Sequence, residues 1–331
     1  MIPYTDDIIN TVNKLLPQDE SAWELVGFIN KEKNIYTFGN DSKIIGRLFE
    51  VIIFDTLNKA ANELGYILKE SEMQTVYPDF YFIKPDGRKI AIDVKTTYRR
   101  SNNSCYGFTG GSFTSFMRNG TKNIVGNYSD YDQHYILGVV YTRDSNPTTG
   151  HINFNKISDI IPAYKNIEVF IQEKYRICGD KKGSGNTDNI GTIKANSIEP
   201  FVYGAGPFSV LGEEVFHDYW VNHPKYTDSP EKAKSLFNDL ASYIEWVRKS
   251  DSDRADELYR LYNLYKDEYN NIWGKKIELF LALFFMYQIM RFLYYRLEYF
   301  QNLSFRGLLQ VLLSFYSYLV LYHLNDRSAL S

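Results

Sequence analysis

Cysteine is nearly missing from this chain: two occur in 331 residues, Cys105 and Cys178, far apart and in no metal or redox spacing. That excludes a disulfide framework, a thiol redox pair and a cysteine zinc site, and it makes a reduced, cytoplasmic protein the simplest expectation. Histidine is also sparse, and His134, His151, His217, His223 and His323 show no ligand spacing, so zinc chemistry has no donors to draw on. No GKS or GKT ending follows a glycine-rich run, which removes the P-loop reading. Excess positive charge is lacking too. With a formal net charge of -3, any surface that binds nucleic acid has to be local rather than global. What the chain has in quantity is apolar: 44% of residues are hydrophobic, ample for the core of one large domain or of one domain with an appendage.

The most informative stretch is Tyr77-Pro78-Asp79, followed after a strand length by Ile92-Asp93-Val94-Lys95. The residues between split into two strand-like runs, Phe80 to Ile83 and Ile90 to Val94, around a Lys84-Pro85-Asp86-Gly87-Arg88 turn. A hairpin of this form returns the chain so that Asp79 lies near Asp93. Alternation along the second strand sends Asp93 and Lys95 to one face and Ile92 and Val94 to the other. Two carboxylates suit a hard divalent cation such as Mg²⁺, with Mn²⁺ as the alternative ion. Such an ion polarises a scissile phosphate and lowers the pKa of a bound water, while the Lys95 ammonium meets negative charge as it develops. Taken alone, PD followed by DxK is a weak signal, because all of its residue types are common.

Several further blocks stand in order along the chain: YPDF (77–80), KIAIDVKTTY (89–98), FTSFMRNGTKNIV (113–125), GVVYTR (138–143) and GSGNTDNIG (183–191). Over roughly residues 39–220 the chain resembles the EcoRV family of type II restriction endonucleases, within the PD-(D/E)XK superfamily. The resemblance implies an α/β fold, a restriction-endonuclease core with a mixed sheet flanked by helices. It implies a metal site at Asp79 and Asp93 with Lys95 beside them, and an upstream helical acid at Glu50 that assists catalysis or the metal. It implies Mg²⁺-dependent, sequence-specific hydrolysis of double-stranded DNA. Its cellular counterpart is a cognate methyltransferase that shields host sites. The competing reading is a cleavage-inactive or membrane-tethered DNA-binding protein of the same fold.

Basic and hydroxyl-bearing residues cluster around these blocks: Lys95, Arg99, Arg100, Arg118, Lys122, Lys181 and Lys182, with Ser112, Thr114, Ser115 and Asn119 as neutral phosphate donors. The resemblance adds Thr96 and Thr97 on the second catalytic strand. For base readout, the glycine-containing run Gly183-Ser184-Gly185-Asn186-Thr187 lets backbone approach a base edge; Asn186 suits adenine and the Thr187 methyl suits thymine. The run matches the family's recognition loop, with Lys181, Lys182 and Asp188 as departures, which implies the target GATATC and blunt ends. Gln74, in the Glu72–Val76 loop, matches a minor-groove contact, whereas Thr75 and Val76 depart from the pattern.

A palindromic target implies a homodimer. The amphipathic helix expected over Thr5 to Leu16, the Trp23–Phe28 and Asn34–Phe38 runs and a Ser42–Gly65 helix supply an amino-terminal interface. Further strands are expected over Tyr135–Thr142 and Val169–Cys178, with a helix over Glu213–Asn222. The endonuclease domain is expected to span 1–250, closing near Arg248. Residues 251–331 then form a helical, apolar extension. It holds two apolar stretches, Ile277–Leu297 and Leu303–Leu324, of nearly bilayer length. Glu278, Gln288, Arg291, Arg306, Gln310 and His323 interrupt them, which favours a packed hairpin over membrane association; a decayed reading frame is the third alternative.

Overall fold

The computed structural model describes residues 6–269, apart from 74, 101–103, 184–187, 230 and 232–235. The amino-terminal helix α1 (Asp7–Leu15) starts at Asp6, whose side chain accepts from the Ile9 N–H at 2.7 Å, and it buries Ile8, Ile9 and Val12. After a tight turn at Glu20–Trp23 come two short strands, β1 (Phe28–Ile29) and β2 (Asn34–Tyr36). The long helix α2 (Ser42–Leu64) is capped by Asp41 at its start. It stops at Gly65, whose φ of 70° is the left-handed conformation that glycine adopts without strain.

A five-stranded sheet follows, in the order β3 (Ile67–Glu70), β4 (Phe80–Ile83), β5 (Lys89–Arg99), β7 (Tyr131–Arg143), β9 (Tyr164–Glu173). Only β5 and β7 run parallel; the other neighbours are antiparallel, so the sheet is mixed. A parallel pair needs a crossover, and here it carries β6 (Thr109–Ser112) and a helical turn, Phe113–Met117. A strand β8 (His151–Asn153) joins β2 and β1 in a small separate sheet.

Period-two patterning decides which core each strand residue enters. Ile90, Ile92 and Val94 pack with Ile45, Phe49 and Ile53 of α2 and with α1. Ala91, on the opposite face, joins a second cluster with Tyr77, Phe113, Phe116 and the carboxy-terminal helices. Those helices are α6 (Glu213–Asn222), α7 (Leu240–Arg248) and α8 (Ser252–Tyr269), preceded by the short turns α4 (Glu199–Val202) and α5 (Phe208–Leu211).

Two expectations need correction. The strand expected over Val169–Cys178 is broken: β9 ends at Glu173, opposite Tyr135 of β7, and a helical turn α3 (Lys174–Ile177) carries the chain into a second sheet. There β10 (Cys178–Lys182) and β11 (Asn189–Thr192) pair with β6. The apolar residues read as one strand because both sheets bury them. The body also continues past 250. Helix α8 buries Ala255 and Leu258 in the second cluster, and the Tyr265 hydroxyl donates to the Ala205 carbonyl at 3.2 Å, so the first compact unit runs Met1–Glu268. Among the described residues no helix is long and apolar enough to cross a membrane. The stretches 277–297 and 303–324, and the choice among the readings of them, lie outside the described residues.

Candidate active site

The hairpin forms as its sequence dictates. In the turn, Lys84 N–H donates to the Arg88 carbonyl and Gly87 N–H to that of Lys84, both at 2.9 Å, with Gly87 at φ 86°. Phe80 pairs with Ile92 and Ile83 with Lys89, which puts Asp79 across from Asp93. Asp79 Oδ2 accepts the Val94 N–H at 2.8 Å, so the carboxylate is held by the neighbouring strand's backbone. Lys95 Nζ lies 2.7 Å from Asp93 Oδ2 and 3.8 Å from Asp79 Oδ2. The two acids and the ammonium expected to converge do so.

The electrostatics are those of two like charges short of a counter-charge. Burial pushes the Asp79 carboxyl up to about 8, the Asp93 charge pushes the same way, and Lys95 and the Val94 N–H act against it. Burial also works against the Lys95 charge, but Asp93 and Asp79 outweigh it and the ammonium is held above its usual value. Asp93 is 3% exposed, and its Oδ2 has no aligned hydrogen bond despite the ammonium close by. A buried carboxylate whose oxygen has only the Lys95 ammonium close by, beside a second carboxyl that resists ionising, is the donor set a hard divalent cation takes. The residues fit such an ion.

Glu50 sits one helix away. On α2 it pairs with Arg47, which also reaches Glu70 Oε1 at 2.8 Å. Glu50 and Asp79 line one cleft of about 780 Å³, between the start of α2 and the 70–75 segment. The Glu50 charge raises the pKa of both Asp79 and Lys95. Among the described residues, however, no three His, Cys, Asp or Glu side chains converge as a metal cluster. Glu50 therefore faces the site electrostatically and is engaged by Arg47.

A family model described as restriction endonuclease EcoRV matches residues 19–248. The type II restriction enzyme EcoRV of Escherichia coli is 39% identical over 245 residues, covering 73% of this chain and 96% of that protein. The chain belongs to the EcoRV family of type II restriction endonucleases. A solved NlaIV restriction endonuclease aligns over 82% of this chain and 92% of its own at 13% identity, with a TM-score of 0.32, a likeness too weak to bear on the argument.

Against that family, the residues expected at DNA divide in three. Thr96 and Thr97 are half-buried on β5, and Thr96 Oγ1 lies where a side chain on Gly46 of α2 would meet it at 3.5 Å. Asn119 is exposed, but its amide donates to the Thr114 carbonyl at 2.8 Å and the Ser115 carbonyl at 3.2 Å, bracing the turn. Thr114, half-buried, lies 3.3 Å by its hydroxyl from that of Ser112. Ser115 is buried with its hydroxyl donated to the Lys122 carbonyl at 2.7 Å, so that side chain is not free for phosphate. Arg118 is half-buried over the Phe113 ring and donates to the His223 carbonyl. Gly183 is seated by its N–H on the Asn189 carbonyl at 2.8 Å. Ser184, Gly185, Asn186, Thr187 and Gln74 lie outside the described residues.

Sequence reasoning missed the support behind the acids. The Tyr77 hydroxyl lies 2.7 Å from His134 Nδ1, both buried, and burial holds His134 well below its usual value, hence neutral. Lys174 is 1% exposed, its Nζ 4.7 Å from the ring centres of both Tyr77 and Phe116, and burial brings it down to about 8. No local signal announces these contacts, because β7, α3 and the crossover each contribute one member.

Proposed function

We propose that this restriction endonuclease hydrolyses double-stranded DNA at GATATC to blunt ends, acting as a homodimer with Mg²⁺ as its cofactor. The observation that carries the hydrolytic part is the convergence of Asp79, the buried Asp93 and Lys95 at one end of the hairpin. Asp79 and Asp93 would hold the ion, which lowers the pKa of a bound water and draws charge from the phosphate. Lys95 stays protonated beside the two acids and so places a fixed positive charge where the scissile phosphate gains negative charge. The Val94 N–H keeps Asp79 turned toward the site. Glu50 adds negative potential to the cleft, which favours cation binding there.

The target reading is supported by the nearly intact GSGN run at 183–186, which suits recognition through Asn186 and Thr187, and by the relative that matches 73% of the chain. Dimerisation is supported by apolar residues left in the open on the small amino-terminal sheet and the turn beside it: Phe28, Ile29, Tyr36, Phe154 and Ile157 are each more than two-fifths exposed. Two-fold symmetry then matches the palindrome. Two free cysteines agree with a reducing cytoplasm, where a methyltransferase of the same specificity would protect host sites.

Digestion of plasmid DNA of known sequence tests the reading. Discrete fragments ending at GATATC with Mg²⁺, and none with Ca²⁺, are expected. Fragments at another sequence would overturn the target, and intact plasmid at every divalent ion would overturn the catalytic assignment.

A further inference from the structure

Two oppositely charged residues at the ends of the 183–187 run meet one another. Lys182 closes β10 and Asp188 immediately precedes β11, so the two flank the 183–187 loop. Lys182 Nζ lies 3.1 Å from Asp188 Oδ1, with the side chains only 26% and 16% exposed. The same Oδ1 accepts the Tyr226 N–H at 2.7 Å, so the carboxylate is fixed independently of the lysine. Its backbone is fixed as well: Phe113 N–H donates to the Asp188 carbonyl at 3.1 Å. Around the Phe113 ring stand two cations, Lys182 Nζ at 5.5 Å and the Arg118 guanidinium at 5.3 Å from its centre. Burial disfavours the Arg118 charge, and Asp228 and Asp188 offset that only in part. Asp188 is thus the ion-pair partner of Lys182 and a weaker counter-charge to Arg118, beside the proposed reading segment.

A lysine beside a loop that enters a DNA groove ordinarily finds phosphate, and each such contact strengthens binding to every sequence alike. Here the ammonium is held instead by a prebuilt acceptor inside the fold. Two opposite charges that touch, at the ends of one short run, behave as one unit. We propose that Asp188 is a specificity-determining residue: it retains Lys182 within the protein and so withholds one cation from the DNA backbone, lowering sequence-independent affinity. The proposal rests on the reading of 183–187 as the recognition loop.

The full chain, bound to a duplex lacking GATATC in EDTA and followed by fluorescence anisotropy across a salt series, tests it. Asp188→Asn keeps an oxygen for the Tyr226 N–H but releases the lysine. Its nonspecific affinity is expected to rise about threefold or more, with the slope of log K against log salt steeper by about 0.9, the value of one added phosphate contact. Adding Lys182→Met to that variant is expected to return both quantities to the wild-type values, and Lys182→Met alone is expected to leave the slope unchanged. The proposal is overturned if Asp188→Asn leaves the slope as it was. It is equally overturned if Lys182→Met alone flattens the slope, because the lysine would then already touch phosphate; this arm decides even if Asp188→Asn fails to fold. Plasmid digestion by the wild type reports separately on the parent reading: discrete fragments with an unchanged Asp188→Asn slope sink this inference alone, whereas cleavage into fragments without a common end sequence sinks the recognition loop itself.

Discussion

Replacing Asp79 by Asn should make the metal-free protein more stable while it destroys catalysis. The Asp79 carboxyl is raised from its ordinary 3.8 to about 8, first by burial and then by the Asp93 charge. An acid whose folded-state pKa lies above its unfolded value binds a proton in the native state that the unfolded chain has released. Its stabilisation is complete below about pH 4 and is lost as pH climbs toward 8. At about 1.4 kcal/mol per pKa unit the full cost approaches ~6 kcal/mol at pH 8, an upper bound. The side chain keeps 21% of its exposure and Lys95 lies 3.8 Å away, so solvent and relaxation reduce this to about 2–3 kcal/mol. Asparagine carries no charge and still offers an oxygen to the Val94 N–H, so it removes the repulsion and keeps the hydrogen bond. Urea unfolding in EDTA, followed by tryptophan fluorescence, should therefore show Asp79→Asn more stable than wild type at pH 8, with the gap narrowing steadily toward pH 5. Added Mg²⁺ should close the gap from the other side by stabilising only the wild type. A gap that is absent at pH 8, or the same at every pH, would refute the account of Asp79 as a strained acid.

Other substitutions probe the remaining parts. Asp93→Ala should lower single-turnover cleavage by about a hundredfold to a thousandfold or more while DNA binding in EDTA stays near wild type, since what is lost is transition-state stabilisation; normal turnover would defeat its role. Lys95→Met should cut the rate by a similar factor, and a variant that kept its rate would show that the ammonium is only structural. Asn186→Ala should cost about 1–3 kcal/mol of discrimination at the adenine proposed for it, measured as relative cleavage of singly altered sites. Gly138→Ala tests the frame: its new methyl would sit 2.1 Å from Phe170 Cε1, directly behind the Lys95 position in the register. A loss of about 1–3 kcal/mol is expected from the overpacking, read as a lower melting temperature, and an unchanged one would mean that Phe170 moves freely.

The geometry of the site was legible because it is local. Asp79, Asp93 and Lys95 fall on one hairpin, and turn chemistry with period-two alternation is enough to bring them together. The Ser42–Leu64 helix was legible for the same reason, with Asp41 and Gly65 marking its ends. What stayed hidden is assembled from distant segments. Lys174 reads as one more polar residue in an apolar run, and only the exit of β9 into α3 reveals that it is buried against Tyr77. Ser115 looks like a phosphate donor in its block, and only the fold shows its hydroxyl given to Lys122. The helix Ser252–Tyr269 is too charged to announce a core, yet Ala255 and Leu258 suffice to dock it.

A net charge of -3 is compatible with a DNA-cutting enzyme once the charges are followed to their partners. Lys84 and Arg88 share Asp132, Lys89 is held by Asp130, Lys165 by Asp144 and Lys181 by Asp239. Such paired cations add little to the field at long range. The acids of the site are different: Asp79 and Glu50 line one cleft, Asp93 stands beside Lys95, and three carboxyls meet two cations, so a divalent cation that draws Asp79 into its ionised form is favoured there over the bare phosphate. If the proposed ion sits there, part of the affinity for DNA comes through it, and binding and cutting are linked at one place. That link yields a consequence separable from the mutations above. Raising a divalent ion that does not support cleavage, such as Ca²⁺, should tighten binding of the wild type to GATATC duplex by about tenfold or more, the scale of a single charge-assisted interaction with the phosphate. Asp93→Ala should lose most of that effect. If the two proteins tightened equally, the ion would be acting on the DNA rather than between the acids, and the site would have been assigned to the wrong carboxylates.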